Sequence, residues 1–171
     1  LFFKQKTAYE IHERLGGSEM CIRDRYSSGA WPEVDNVDLG GSSDFSVSVD
    51  VSTSDTFLAV GDPDNNRVLI YEFNEGSKDW SQIDIITSTE TGFGKKVGYA
   101  DGLIAVCTTG EKAFVYKSSN GSTGWTQDLE IQESGKVCDA VDISESLMAI
   151  GFDDAPGGDT SQYLYMYKIN K

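Results

Sequence analysis

A pattern of two apolar runs, returning about every 45 residues, constrains this chain more than any other feature. Leu58-Ala59-Val60-Gly61, Ile104-Ala105-Val106-Cys107 and Met148-Ala149-Ile150-Gly151 are one short run met three times, each after a turn carrying Asp55, Asp101 or Glu145. A second run follows each of them: Val68-Leu69-Ile70-Tyr71, Ala113-Phe114-Val115-Tyr116 and Leu164-Tyr165-Met166-Tyr167. Trp80-Ser81-Gln82 and Trp125-Thr126-Gln127 come next in the first two copies. Ala59 to Ala105 is 46 residues, Ala105 to Ala149 is 44, and Trp80 to Trp125 is 45. Tyr116 to Tyr167 is 51, with the excess in a Gly- and Asp-rich stretch from Asp153 to Ser161. A phase kept by three separate markers identifies a repeat, and a repeat of this length is one supersecondary unit.

Each unit reads as four short strands. The first alternates, as in Phe45, Val47, Val49 and Val51 against Ser46, Ser48 and Asp50, which sends one set of side chains toward a core. The second and third are nearly continuous apolar runs, as expected of strands covered on both faces. The fourth starts at the Trp. Asp62-Pro63-Asp64-Asn65-Asn66, Asn74-Glu75-Gly76-Ser77 and Ser119-Asn120-Gly121-Ser122 supply turns between them. No helical stripe of useful length follows residue 26, so the expected class is all-β. A four-stranded meander cannot bury both faces alone, and radial stacking with its copies resolves this. The expected architecture is a partial β-propeller of about three four-stranded antiparallel blades. Blades are expected at 44–91 and 92–134, with an incomplete one at 135–171 that lacks its Trp strand. Residues 26–43 read as a linker and the last strand of a preceding blade, beginning at Trp31. This organisation implies a fragment of a larger protein, and a head-to-tail pair of such chains is geometrically permitted to close six blades.

The first 25 residues have a different character. Lys4 to Ile11 and Glu19 to Asp24 resemble, in one frame and at the correct spacing, the translation of the two ends of a short-read sequencing adapter. They are therefore expected to be an artefact outside the fold. Discounting them removes five basic and four acidic residues, so the net charge moves from -14 to -15. Such a surface repels phosphate backbones and anionic membranes, which makes nucleic acid and membrane contact unexpected and a basic ligand or weak cation binding more natural. The lone histidine, His12, lies in the discounted segment, which removes Ser-His-Asp and Cys-His catalysis and histidine zinc sites from consideration. Cys107 and Cys138 are left as small buried hydrophobes or as a bridge, the former being the commoner use. No apolar run approaches the roughly 20 residues that span a bilayer.

Phe93-Gly94 opening one unit, Gly61-Asp62-Pro63 after the Leu-Ala-Val strand, and the recurrent Tyr followed by Trp-x-Gln resemble FG-GAP-type repeats, found in integrin α-subunit propellers and many extracellular proteins. The resemblance covers residues 31–171. It departs at Ser46, which stands where Gly follows Phe, at Gly135-Lys136, which has no Phe, and at Cys107-Thr108-Thr109, which stands in place of Gly-x-Pro. It implies a non-catalytic module that holds a protein or glycan partner on the loops joining second to third and fourth to first strands, and an extracellular or cell-surface location.

The loop candidates for ligand or cation binding are Asp62, Asp64, Asn65 and Asn66, with Asp153, Asp154 and Asp159 in the longer loop of the third unit. Closely spaced oxygens of this kind suit calcium. The first group lacks the Gly and the closing bidentate acid of a DxDxDG loop, so turn formation accounts for it as well; no metal or catalytic residue is assigned, and no cofactor is expected beyond a possible calcium ion. Trp31, Trp80 and Trp125 at one phase point to packing between blades in preference to sugar platforms. Asn120-Gly121-Ser122 is a glycosylation sequon that matters only in a secreted chain. An alternative is a propeller hydrolase or lyase acting on polysaccharide through Asp62, Asp64 and Asp153; it needs two carboxylates converging in a cleft, and the spacing provides no such pair.

Overall fold

The computed structural model describes residues 48–52, 56–100, 102–154 and 162–169, all within the unit Asp35–Lys171. The adapter-like segment, the Trp31 strand, Phe45 to Val47, Asp55, Asp101 and Asp159 lie outside the described residues. Strands β1 (Ser48–Val51), β2 (Phe57–Asp62), β3 (Arg67–Asn74) and β4 (Asp79–Thr87) form a first sheet in that order. A second sheet runs β5 (Lys96–Ala100), β6 (Leu103–Cys107), β7 (Lys112–Ser118), β8 (Trp125–Gln132), and a third runs β9 (Lys136–Ile143), β10 (Leu147–Asp154), β11 (Tyr163–Lys168). Every pairing is antiparallel. The first strands meet in series, β1 against β5 and β5 against β9. The chain is thus all-β, a partial β-propeller of three consecutive blades, the third with three strands among the described residues.

The repeat extends to irregularities. A β-bulge interrupts β3–β4 at Ile70/Tyr71 and β7–β8 at Val115/Tyr116, 45 residues apart, so Ile83 and Asp128 are the extra residues of their strands. Two apolar clusters fill the spaces between sheets. Ala59, Val68, Ile70 and Ile86 of the first sheet meet Val97, Tyr99, Ile104, Val106 and Phe114 of the second, with Phe93 from the connection before β5. On its other face the second sheet sets Ala105, Ala113, Val115 and Ile131 against Ile143, Met148, Ile150 and Phe152. Alternate residues of β6 and β7 therefore enter different cores, which is why those strands read as unbroken apolar runs. Full burial of a side chain such as Phe93 or Ile104 contributes about 1.5–3 kcal/mol.

Two expectations need correcting. In β1 the polar residues face inward: Ser48 Oγ accepts the Val97 N–H at 3.1 Å and Asp50 Oδ2 accepts the Tyr99 N–H at 2.7 Å, while Val49 and Val51 are exposed. Edge strand β5 leaves backbone donors without a strand partner, and side-chain oxygens from the neighbouring sheet satisfy them. The second correction concerns the cysteines. Both are fully buried, as expected of small hydrophobes, but they also form a disulfide, Cys107–Cys138, joining β6 to β9 with Cα atoms 5.3 Å apart.

The position of that disulfide has a counterpart one interface earlier. Gly61 ends up so close to Gly94 that a Cβ on Gly61 would stand 2.0 Å from the Gly94 carbonyl oxygen, and Gly94 holds φ +100°. Cys107 stands 46 residues after Gly61, and Cys138 44 residues after Gly94. Where sheets 1 and 2 meet glycine to glycine, sheets 2 and 3 are joined covalently. The departure from the repeat pattern at Cys107 thus falls at the covalent joint between sheets 2 and 3.

Candidate functional site

The connections β2–β3, β4–β5, β6–β7 and β8–β9 gather at one end of the stacked sheets. Pro63–Asn65 forms a short 3-10 turn, closed by Asn66 in the left-handed region at φ 52°, ψ 48°. The buried Asp62 carboxylate accepts from Arg67 Nε at 2.6 Å and from Asn65 Nδ2 at 2.9 and 3.1 Å. Its oxygens are thereby engaged within the turn. Asn66 Oδ1 accepts the Gly92 N–H at 2.7 Å, tying this loop to the β4–β5 connection. Asp64 and Asn65 are exposed. Among the described residues no group of three or more His, Cys, Asp or Glu could hold a metal ion.

Beside this turn lies a shallow polar cleft of about 240 Å³, lined in part by Glu90, Thr91, Thr108, Thr109, Glu111 and Lys112. Its walls are held by their own bonds. Thr108 Oγ1 donates to the Lys112 carbonyl at 2.9 Å, Thr109 Oγ1 donates to the Thr91 carbonyl at 3.0 Å, and Glu111 Oε1 accepts the Gly135 N–H at 2.7 Å. Lys112 Nζ bridges Glu90 at 2.7 Å and Glu130 at 3.2 Å, and these hydrogen bonds raise its pKa above the ordinary lysine value. The cleft can present carboxylates and threonine oxygens from fixed positions. The Thr108 and Thr109 hydroxyls both donate to backbone carbonyls.

Farther along the same end, Asp153 Oδ1 accepts the Asp154 N–H at 2.8 Å and Gln162 Nε2 at 3.3 Å. Asp154 pairs with Lys136, whose ammonium lies 5.1 Å from the Tyr163 ring centroid. The Tyr165 hydroxyl bonds to Glu133, which raises its pKa to about 12. Asp62 and Asp154 are thus each committed to a cation.

Trp80 and Trp125 pack against neighbouring aromatic rings. Trp125 stacks edge-on with Tyr99 at 6.0 Å and donates from Nε1 to the Ser122 carbonyl at 3.1 Å; Trp80 lies against Phe73 at 5.2 Å. With Ile83 and Phe57, Trp125 closes the outer part of the space between sheets 1 and 2. The equivalent space between sheets 2 and 3 is a groove of about 590 Å³, where Leu103, Asp128 and Ile143 stand for Phe57, Ile83 and Tyr99. Sequence reasoning did not identify this groove. Its signal was present in Asp128, which stands where the first unit has Ile83.

No family model matches the chain, and no curated protein matches it. Among solved structures it is similar to Hsv2 of Kluyvelomyces marxianus, at 10% identity and TM-score 0.48, over 72% of this chain and 33% of that one. It is also similar to the N-terminal domain of Nup159, at 13% identity and TM-score 0.42, over 73% of this chain and 35% of that one. The chain spans about a third of the length of either structure.

Proposed function

We propose that this chain is a non-catalytic binding module of FG-GAP-like propeller type, with blades at 44–91, 92–134 and 135–171, that holds a protein partner carrying basic residues on its loop end. The observation that carries this reading is the set of bonds that fix the cleft at that end, above all the Lys112 bridge to Glu90 and Glu130 and the bond from Asn66 to Gly92. Loops fixed by a scaffold can present a preorganised surface, and binding residues concentrate on such loops. The contact residues are Glu90, Thr91 and Glu111 of the cleft, Asp64 and Asn65 beside it, Asp153 near the end of β10, and Asp159 in the sequence that follows it. The net charge of -14 supports a basic partner and fast, salt-sensitive association. FG-GAP kinship is supported by Phe93-Gly94 and Gly61 meeting in space, and an extracellular setting by the buried disulfide.

The test compares capture of secreted and cell-surface proteins by the wild-type chain, by Glu90→Lys/Glu111→Lys, and by Glu75→Lys on the opposite end. A specific partner is expected to be recovered by the wild type and by Glu75→Lys, to be lost with the loop-end variant, and to be released by added salt. Recovery that ignores the loop-end changes would refute the assignment.

A further inference from the structure

Asn120-Gly121-Ser122 is the one Asn-x-Ser/Thr triplet within these 171 residues, and the structure places it in the β7–β8 turn, at the end of the sheets opposite the polar cleft. Asn120 is exposed. Its Oδ1 accepts the Ser122 and Thr123 N–H groups at 3.1 and 2.8 Å, and its Nδ2 donates to Thr123 Oγ1 at 2.6 Å. The turn is also held from the strands: the Tyr99 hydroxyl donates to the Gly121 carbonyl at 2.8 Å, and Trp125 Nε1 donates to the Ser122 carbonyl at 3.1 Å. The counterpart turn of the first sheet separates what the fold needs from what it does not. Asn74 Oδ1 accepts the N–H groups of Gly76 and Ser77 at 2.8 and 3.2 Å, again the second and third residues on. There Gly76 takes the place of Ser122, so the same bonds form with no hydroxyl at that position. The turn therefore calls for the asparagine but not for the Ser122 hydroxyl.

We propose that Asn120 is an N-glycosylation site, carrying one oligosaccharide on the end of the sheets turned away from the loop-end cleft. The inference rests on the extracellular setting proposed above, and the buried Cys107–Cys138 bridge points to the oxidising route on which such transfer takes place. The donor is an oligosaccharide linked to a polyprenyl diphosphate. Asn120 Nδ2 forms a bond to the anomeric carbon, and the bond from that carbon to the diphosphate oxygen breaks with its electron pair. The proton lost from Nδ2 leaves with the lipid diphosphate. The amide keeps its carbonyl oxygen and one N–H, which suffice for the bonds from Ser122 and Thr123 and for the bond to Thr123 Oγ1. The modified side chain thus closes the same turn, and the sugar leaves Glu90 and Glu111 open at the other end.

The test is expression of the full chain in cultured animal cells behind a cleavable secretion signal, with intact mass read on protein from medium and lysate before and after peptide N-glycosidase. Ser122→Ala removes the hydroxyl and keeps every turn bond named above; Ser122→Thr keeps a hydroxyl at that place. The wild type and Ser122→Thr are expected to carry the mass of one oligosaccharide, which the glycosidase removes while converting Asn120 to Asp. Ser122→Ala is expected at the mass of the bare chain. An oligosaccharide that persists in Ser122→Ala overturns the proposal, as does a wild type at the bare mass in both fractions. Alkylation of Cys107 and Cys138 in denaturant, before and after reduction, tells two failures apart. A bare wild-type chain with its bridge formed rejects the site and keeps the extracellular reading, whereas a bare chain with both thiols free rejects both.

Discussion

Among individual residues, the polar groups at the loop end mostly serve the fold. Asp62 holds Arg67 and Asn65, Thr108 holds Lys112, and Glu133 accepts the Tyr165 hydroxyl. The last has a pH signature. Hydrogen bonding to Glu133, with smaller contributions from burial and from the Glu133 charge, lifts the Tyr165 pKa from 10.0 to about 12. The folded state holds the protonated phenol, so the unfolded chain releases that proton first. The contribution to stability is complete below pH 10, and it declines from there until folded Tyr165 ionises near 12. Tyr116 and Tyr167, raised mainly by burial, and Lys112, raised by its glutamates, act in the same direction. Tyr165→Phe is expected to flatten the alkaline fall without abolishing it. Urea midpoints measured from pH 8 to pH 12 check this, and wild-type and variant curves that run parallel above pH 10 would exclude the bond to Glu133 as its source.

At the scale of strands and turns, the sequence is most legible where apolar residues recur and least where polar ones reach across to another sheet. Continuous runs such as Ile104 to Cys107 reveal strands covered twice because local composition suffices to identify them. The inward turn of Ser48 and Asp50 was hidden because its cause lies 49 residues on, in the edge N–H groups of Val97 and Tyr99. The loop candidates were legible as turn formers, yet nothing in Asp62-Pro63-Asp64 announces Arg67 as the partner or Gly92 as the neighbour of Asn66. Phe93-Gly94 and Gly61 were visible as a motif, and the structure supplies the reason: glycine is required where two sheets touch backbone to backbone. A Cβ on Gly94 would meet the Arg67 carbonyl oxygen at 2.6 Å from a backbone at φ +100°. Gly94→Ala is therefore expected to destabilise the chain by about 1–3 kcal/mol or more, from overpacking added to left-handed strain. Gly135→Ala, with a positive φ of 75° but nothing within 4 Å, separates strain from clash. Equal losses of urea midpoint in the two variants would show that close approach contributes nothing.

Across the stacked sheets, each blade buries its apolar face on the next, and stability in such a series is close to a sum of nearest-neighbour terms. The interface between sheets 2 and 3 carries an outer groove of about 590 Å³, and Asp128 stands at its bulge where the first sheet has Ile83. The disulfide stands at that same interface. Its cysteines are separated by 31 residues, and closing a loop of that size in the unfolded chain contributes roughly 3–4 kcal/mol by the chain-entropy estimate. Cys107→Ala/Cys138→Ala is expected to lose stability of that order, with the loss concentrated in the third sheet. Amide hydrogen exchange distinguishes this from a uniform loss. Protection in β9 to β11 should fall by orders of magnitude while β2, β3, β6 and β7 retain most of theirs, because Val68, Ile70, Ile104 and Phe114 stay buried between the first two sheets. A uniform fall in all three sheets would mean that the blades unfold as one unit, with the bridge stabilising the whole stack instead of one interface.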